Sequence, residues 1–220
     1  MFLLGTIIIL SYLVGSIPTS IIISKLSHGI DIREHGSGNA GGTNVMRVLG
    51  WKKGLFVILL DALKGAFVVV VVARLHYGGL PFQNVSPFDD FTLVQIIAGI
   101  AAVIGHIWTV FAGFRGGKGI ATALGMLIMI ITIDMLVAVG IFIIVVTVSR
   151  YVSLGSILAA LSIPFTLIFR ENILNDHIQS YHTLLPFVAA VSLLVVYTHR
   201  KNVVRLLNGT ESKISFKKKK

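Results

Sequence analysis

"FLLGTIIILSYLVGSIPTSIIIS", residues 2–24, carries no charge, and its apolar residues are interrupted only by glycine, hydroxyl-bearing residues and one proline. About 20 such residues in a helix cross the hydrocarbon core of a bilayer. The stretch lacks a basic start and is too long and continuous for a cleaved signal sequence, so we interpret it as a retained membrane helix. This stretch therefore indicates an integral membrane protein.

The composition agrees, because 55% of the 220 residues are hydrophobic and only 13% are charged, against about 25% charged in soluble proteins. Transmembrane β-strands would instead show short alternating segments. We predict an all-α, polytopic membrane bundle of about seven helices in one compact domain, residues 1–220. The predicted spans are 2–24, 54–73, 91–113, 118–133, 135–149, 153–169 and 182–198. The short fourth and fifth spans form a tight hairpin or a pair partly buried in protein.

The basic residues predict the orientation, since Lys and Arg are retained on the cytoplasmic side during insertion. Of the nineteen Lys and Arg residues, only Arg74 and Arg170 fall on the other side of seven spans, and Lys64 lies within one. We therefore predict an N-terminus outside and a C-terminus in the cytoplasm. The basic tail, residues 213–220, ends in Lys217 to Lys220, which indicates an anionic-lipid contact or a cloning remnant. The sequence contains no basic face with interleaved aromatic residues, so we do not expect a nucleic-acid partner.

A first glycine cluster, "GSGNAGGTN" at residues 36–44, has the GxGxxG spacing of a dinucleotide-binding turn. That turn requires a buried strand before it, whereas here it lies in a loop between two membrane spans, so the dinucleotide interpretation fails. The loop can still offer backbone N–H groups, hydroxyls, amides and a guanidinium to an anion. The candidate anion-binding residues are Ser37, Gly38, Asn39, Thr43, Asn44 and Arg47. An ordinary flexible turn is the alternative.

A second cluster, "GHIWTVFAGFRGGKGIATALG" at residues 105–125, resembles a phosphate-binding loop, but Ala112 and Gly119 occupy positions where that motif needs glycine and Ser or Thr. Gly116, Gly117 and Gly119 nevertheless flank Lys118 at the start of an apolar helix, where free N–H groups favour phosphate. We expect a phosphate cradle here. Alternatively, Lys118 only anchors the helix end on the positive side.

Other polar residues lie within or beside the spans. His106 is a functional candidate because ionisable groups in membranes are costly, and Asp61 and Lys64 can pair on one helical face, as a structural clamp or as part of the site. Ser153 lies at a helix start as a cap or a donor to a ligand. A third polar stretch, "HRKNVVRLLNGTE" at residues 199–211, places His199, Asn202 and Arg205 on one helical face.

Carboxylates are scarce in these stretches, which favours a metal-free reaction on phosphorylated substrates. The sequence places no acid that would orient a histidine in a Ser–His–Asp arrangement. The absence of cysteine excludes disulfides, thiolate metal sites and cysteine nucleophiles. We expect Arg47, Lys118 and Arg205 to share one pocket that binds two phosphorylated reactants.

These three ordered motifs resemble those of the bacterial acyl-phosphate:glycerol-3-phosphate acyltransferases. The resemblance covers nearly the whole chain: SGNxGxTNxxR at residues 37–47, GHxxPVFxGFKGGKGxATxxG at 105–125 and HxxNxxRLxxGxE at 199–211. "DALKG" at 61–65 and "GSIPTS" at 15–20 are also similar to family segments. The chain departs from the family at a few positions, where Ala40 and Thr109 replace usual prolines, Gly42 replaces alanine and Arg115 replaces lysine.

The resemblance implies a multi-pass enzyme of the bacterial inner or plasma membrane, with its site facing the cytoplasm. It would transfer a fatty acyl group from acyl phosphate to the 1-hydroxyl of glycerol 3-phosphate, the first step of phospholipid synthesis, without a cofactor. Lys118 and the flanking glycines would hold one phosphate, and Arg47, Asn44, His199, Asn202 and Arg205 the second substrate, or the reverse. Ser37, Asn39 and Ser153 would position oxygens, with His106, His199, Lys118 and Ser37 as catalytic candidates.

Two alternatives remain open from the residues themselves. A transporter of organic phosphates would use the same cations without chemistry, and it predicts a site near the bilayer midplane between two related halves. A scaffold would use its basic loops only to bind anionic lipid. The base is also open, since His106, His199 or the departing phosphate could accept the proton.

Overall fold

The computed structural model describes residues 2–76 and 88–213. All regular elements in these two ranges are helical, which confirms the predicted all-α class. The principal helices are α1 (Phe2–Gly15), α2 (Thr19–His28), α3 (Gly42–Leu49), α4 (Trp51–Phe67), α5 (Asp90–Ile107), α6 (Ile120–Ile130), α7 (Thr132–Ser149), α8 (Val152–Asn172), α9 (Tyr181–Thr198) and α10 (Arg200–Leu207). The predicted tail contact at Lys217 to Lys220 lies outside the described residues.

Within residues 2–76 and 88–213, six segments are long and apolar enough to cross a membrane. The protein is a multi-span membrane protein. The six segments are Leu3–His28, Trp51–Leu75, Asp90–Ala112, Thr132–Ser149, Val152–Asn172 and Tyr181–Thr198. The predicted fourth span, 118–133, corresponds to α6, which has only 11 residues. A helix of this length covers about 16 Å, roughly half of the hydrocarbon core. The count of seven and the sidedness of the termini therefore stay predictions.

The chain divides into two compact units, Met1–Ile130 and Ile131–Lys220. The first contains α1 to α6 and both glycine clusters, and the second contains α7 to α10 and the third polar stretch. The interpretation of residues 1–220 as one domain stays a prediction.

Close helix contacts in the first unit depend on glycine. A Cβ atom added to Gly15 of α1 would overlap the backbone of Ala102 in α5, and one added to Gly65 of α4 would overlap the carbonyl of Thr122 in α6. Small residues allow membrane helices to approach closely, where van der Waals packing rather than hydrophobic burial drives association. These contacts pair α1 with α5 and α4 with α6.

The predicted continuous helix over residues 2–24 is interrupted at residues 16–18, between α1 and α2. Proline at position 18 has no N–H and disfavours a helical residue before it. The freed carbonyls are bonded by distant side chains: Lys64 Nζ donates to the carbonyls of Gly15 at 3.3 Å and Ile17 at 2.8 Å, and Thr109 Oγ1 donates to that of Ser16. An irregular backbone at membrane depth is tolerated only with such internal partners.

The second unit is held partly by polar contacts. Asp134 of α7 is 1% exposed and forms an ion pair with Arg170 of α8 at 2.8 Å, while Arg170 also contacts Asp176 at 2.8 Å. Ser192 of α9 donates to the carbonyl of Ala160 in α8 at 2.6 Å. These bonds fasten α7 and α9 to α8.

Candidate functional site

The first glycine loop, residues 29–41, connects α2 to α3, so a helix rather than a strand precedes the glycines. Gly36 and Gly38 have positive φ angles of 62° and 70°, which glycine adopts at no steric cost. Beneath the loop, Ile32 and Val45 are fully buried in a small apolar core. This geometry supports the rejection of a dinucleotide-binding turn and makes the loop a defined structure.

Asn44, at the start of α3, holds the first glycine loop together. Its amide nitrogen lies 3.1, 2.9 and 3.1 Å from the carbonyls of Ile32, His35 and Asn39, which share its two N–H donors, and its side-chain oxygen accepts the N–H of Ser37 at 2.9 Å. The residue is 1% exposed. The sequence analysis assigned Asn44 to a ligand, whereas its side chain bonds the backbone of its own loop.

The exposed part of this loop carries the remaining candidates. Ser37, Gly38, Thr43 and Arg47 are exposed, and Asn39 is half-buried. Arg47 lies in the last turn of α3, and its guanidinium forms no hydrogen bond or ion pair with any residue in the described ranges. These groups are therefore accessible to an anion.

The second glycine loop follows α5 and reverses direction through a short 3₁₀ turn, Val110–Ala112. Gly116 N–H donates to the carbonyl of Ile107 at 3.0 Å, and Gly117 N–H donates to that of His106 at 3.1 Å. These bonds satisfy carbonyls that the end of a helix leaves without partners. A Cβ atom on Gly116 would collide with both carbonyls. The two N–H groups that the sequence assigned to a phosphate cradle thus bond α5 in this conformation.

Lys118 and Gly119 lead directly into α6. Gly119 has a φ of 75°, and its carbonyl accepts the N–H of Ala123 at 2.8 Å in the first turn of the helix. The side chains of Lys118 and nearby Arg115 are exposed and bond no residue that the structure describes. A cation beside the positive end of a helix dipole favours an anion at this position.

The two glycine loops adjoin each other within the first unit. Arg33 of the first loop donates from Nη1 to the carbonyl of Ala112 in the second at 2.8 Å. A cavity of about 10 Å³, enough for about one water molecule, lies between them. Its lining includes Pro18, Ala40, His106, Thr109, Gly116 and Gly117. The fold therefore brings the first two sequence motifs together with the break in the first membrane helix.

His106 lies beneath this cavity and is 8% exposed. Its Nδ1 is 3.6 Å from Oδ1 of Asp61, which also pairs with Lys64 at 2.8 Å and accepts a hydrogen bond from Thr19. The sequence analysis found no acid to orient a histidine, because Asp61 precedes His106 by 45 positions and belongs to another helix. The contacts of Thr19 and Thr109 were not predicted either, although the hydroxyl of Thr19 beside Pro18 in an apolar span was a visible signal.

In the second unit, the third motif is organised around Glu211. Ser153 Oγ and Asn202 Nδ2 both donate to Glu211 Oε1 at 2.8 Å, and Arg205 Nε donates to Oε2 at 2.7 Å. These three hydrogen bonds, that of Arg205 first, lower the pKa of Glu211 to about 2. The donors that the sequence assigned to substrate therefore bond a carboxylate of the same unit, Glu211, which ends the third motif and had no predicted role.

His199, between α9 and α10, has a defined tautomer. Its Nδ1 lies 2.8 Å from the carbonyl of Val195. Because a carbonyl can only accept, Nδ1 carries the proton and Nε2 of the neutral ring is free to accept one. The expectation that Arg205 shares a pocket with Arg47 and Lys118 stays a prediction.

The candidate residues are rich in donors and poor in free carboxylates. Besides Glu211, Asp31 is engaged, because hydrogen bonds from the Arg33 guanidinium lower its pKa to about 2. Across residues 2–76 and 88–213, no three His, Asp or Glu side chains are grouped in a way that would hold a metal ion. Arg47, Arg115 and Lys118 form no ion pair with a residue that the structure describes, and such positive charge suits phosphorylated ligands.

Comparison with known proteins identifies relatives over nearly the whole chain. The family profile described as glycerol-3-phosphate acyltransferase matches residues 5–209. The glycerol-3-phosphate acyltransferase of Chlorobaculum tepidum is 49% identical over 230 aligned positions, which cover 97% of each chain. That of Chlorobium chlorochromatii is 46% identical, covering 99% of this chain and 100% of the relative.

Solved structures show the same similarity in three dimensions. Two crystal structures of PlsY (YgiH), an integral membrane glycerol 3-phosphate acyltransferase, match with a TM-score of 0.69 and 34% identity. They cover 96% of this chain and 96% and 95% of their own chains. One is the glycerol 3-phosphate form and the other the lysophosphatidic acid form.

Proposed function

Because the chain belongs to the glycerol-3-phosphate acyltransferase family, we propose that it transfers a fatty acyl group from acyl phosphate to the 1-hydroxyl of sn-glycerol 3-phosphate. The products are lysophosphatidic acid and inorganic phosphate. The observation that carries the proposal is a set of three exposed cations that bond no residue in the described ranges, namely Arg115 and Lys118 in the second glycine loop and Arg47 in α3, the helix that follows the first loop. Two phosphorylated reactants need positive charge of this kind at two neighbouring places.

The reaction demands alignment more than a covalent intermediate. The hydroxyl oxygen attacks the acyl carbonyl carbon, the bond from that carbon to the phosphate oxygen breaks, and phosphate leaves with the electron pair. Acyl phosphate is a mixed anhydride with a good leaving group, so positioning and stabilisation of the departing charge supply most of the acceleration. We propose that no metal takes part.

We propose that the loops of the first unit share the binding of the two phosphates. Lys118, with Gly119 at the start of α6, binds the phosphate that departs, and Arg115 adds charge beside it. Arg47 and Thr43 of α3 bind glycerol 3-phosphate with donors of the first loop, namely Ser37, Gly38 and Asn39. Asn44, Gly116 and Gly117 act indirectly, since their polar groups form the two loops.

We propose that a histidine or the departing phosphate accepts the hydroxyl proton. Of the two candidate histidines, His199 in the second unit has its Nδ1 2.8 Å from the Val195 carbonyl, which leaves Nε2 as the acceptor of a neutral ring. His106 is buried, and the departing phosphate is the remaining acceptor. Ser153, Asn202 and Arg205 hold Glu211, and thereby the turn after α10, in place.

The distribution of Lys and Arg supports a site on the cytoplasmic side of a bacterial inner or plasma membrane. Purified protein in proteoliposomes, supplied with labelled glycerol 3-phosphate and acyl phosphate, should form labelled lysophosphatidic acid, with or without a metal chelator. Replacement of acyl phosphate by acyl-CoA tests the donor. Movement of label across the membrane without ester formation would support an organic-phosphate transporter instead.

Substitution of the proposed phosphate-binding lysine gives the sharpest test. Lys118→Ala should lower kcat/KM by about 10²- to 10³-fold, because one donor to developing charge is removed. The protein should still show a cooperative thermal transition in detergent, since Lys118 is exposed. Lys25→Ala removes an exposed cation outside the proposed site and should leave kcat/KM within about twofold. Equal activity of Lys118→Ala and the wild type would refute the assignment.

A further inference from the structure

One guanidinium, that of Arg33, bonds to both glycine loops. Its Nε and Nη2 donate to Asp31 Oδ1 at 3.0 Å and Oδ2 at 2.7 Å, and its Nη1 donates to the carbonyl of Ala112 at 2.8 Å. The side chains of Arg33 and Asp31 are 24% and 14% exposed. Each of the three guanidinium nitrogens thus donates to a defined partner.

Asp31 fixes the fork on the side of the first loop. Besides the guanidinium, its Oδ1 accepts the N–H of Arg33 at 3.0 Å and so caps the short 3₁₀ helix Ile32–Glu34. The carbonyls of Ile32 and His35, in and after this helix, are also partners of Asn44. The guanidinium is therefore attached to the same backbone that shapes the first loop.

Ala112 fixes the fork on the side of the second loop. It ends the turn Val110–Ala112, four residues before Gly116, whose N–H bonds the end of α5. Arg33 and Ala112 are 79 positions apart in sequence. A lysine would keep the charge but could not bond a carboxylate in two places and a carbonyl at the same time.

We propose that Asp31 and Arg33 form a positioning clamp, which sets the first glycine loop against the second and so aligns the two reactants. This rests on the proposed function, in which the first loop and Arg47 of the adjoining helix α3 bind one phosphate and Lys118 of the second loop binds the other. Each loop keeps its own binding groups when the clamp is lost, so KM for either substrate changes little. Their mutual alignment is lost, so kcat falls.

Arg33→Lys is the primary test in the full-length enzyme. It should lower kcat by about ten- to a hundredfold and change each KM by less than about threefold, with rates normalised to the protein that unfolds cooperatively. Arg74→Lys makes the same exchange at an exposed arginine outside both loops and should behave as wild type. Millimolar guanidinium should restore part of kcat in Arg33→Ala and leave Lys118→Ala unchanged, because only the former leaves a guanidinium-shaped gap.

A distance measurement tests the clamp independently of turnover. The chain contains no cysteine, so nitroxide labels at Glu34→Cys and Phe111→Cys report only the separation of the two loops. Their dipolar distance distribution should broaden in Arg33→Lys and stay narrow in Arg74→Lys. An unchanged kcat or distribution in Arg33→Lys overturns the clamp, as does loss of cooperative unfolding, which would make Arg33 a general stabilising residue. Absence of ester formation by the wild type would refute the proposed function and not the clamp, which the distances still test.

Discussion

The two glycine loops look alike in sequence and both contain glycines with positive φ, but close packing against the end of a helix is specific to Gly116 and Gly117 of the second loop. In the first loop, Gly36 and Gly38 supply positive φ angles, and one buried side chain, Asn44, bonds the backbone around them. In the second loop, Gly116 and Gly117 supply room, because their backbone lies against the end of α5 and their N–H groups bond its carbonyls. The comparison shows that a glycine-rich motif does not by itself identify which N–H groups face a ligand.

Among the substitutions that distinguish the two loops, Asn44→Ala should cause the largest loss of stability. It removes the side-chain oxygen that accepts the Ser37 N–H and the two N–H groups that three loop carbonyls share. At about 1 kcal/mol for each of these three groups, we expect a loss of about 3 kcal/mol in the free energy of unfolding. Denaturation in mixed detergent micelles measures this. Asn208→Ala, at an exposed asparagine, should cost less than about 0.5 kcal/mol. Equal stabilities of the two variants would show that the first loop does not depend on Asn44.

Gly116→Ala should have the second-largest effect. We expect it to lower the free energy of unfolding by about 2 kcal/mol, because the new methyl group collides with the carbonyls of His106 and Ile107. The same denaturation assay applies. Gly140→Ala is a matched control, since a Cβ atom there meets no heavy atom within 4 Å, and helix propensity should even favour it. If Gly116→Ala kept full stability, close approach would not be the reason for this glycine.

Gly38→Ala should lower the free energy of unfolding by about 1 kcal/mol, because the backbone at position 38 has a φ of 70°, which is strained for a residue with a side chain. Gly38→Asn should cost less, since asparagine tolerates the left-handed region better than alanine does. Thermal unfolding of wild type and the two variants ranks their stabilities. A more stable alanine variant than asparagine variant would contradict the conformational explanation.

The smallest expected effect is the pH dependence that arises from Asp31. The pKa of Asp31 is about 2, below its ordinary value of about 3.9, so its contribution to stability is present above pH 4 and is lost as pH falls through about 2. The ratio of kcat for Asp31→Asn to that for wild type should therefore be constant between pH 5 and 8. A ratio that changes within this window would mean that Asp31 titrates there and is not held by Arg33.

Some of the candidate site was predictable, and some was not. The three motifs, the exposed cations and the pairing of Asp61 with Lys64 follow from local spacing. The break in the first membrane helix at residues 16–18 was not predicted, although Pro18 lies in the span. The backbone carbonyls at this break are hydrogen-bonded by Lys64 and Thr109, which are distant in sequence. The position of Asp61 beside His106 was missed for the same reason.

The sequence by itself determined that the chain is an all-helical membrane protein with phosphate-suited motifs, because the length, hydropathy and local spacing of residues are properties of neighbouring positions. Only the tertiary structure decided which polar groups are already bonded within the protein, such as Asn44, the Gly116 and Gly117 N–H groups and the donors around Glu211, and which remain exposed, such as Arg47 and Lys118. The physical reason is that a hydrogen bond depends on atoms within about 3 Å, and folding brings such atoms together from distant positions in the chain.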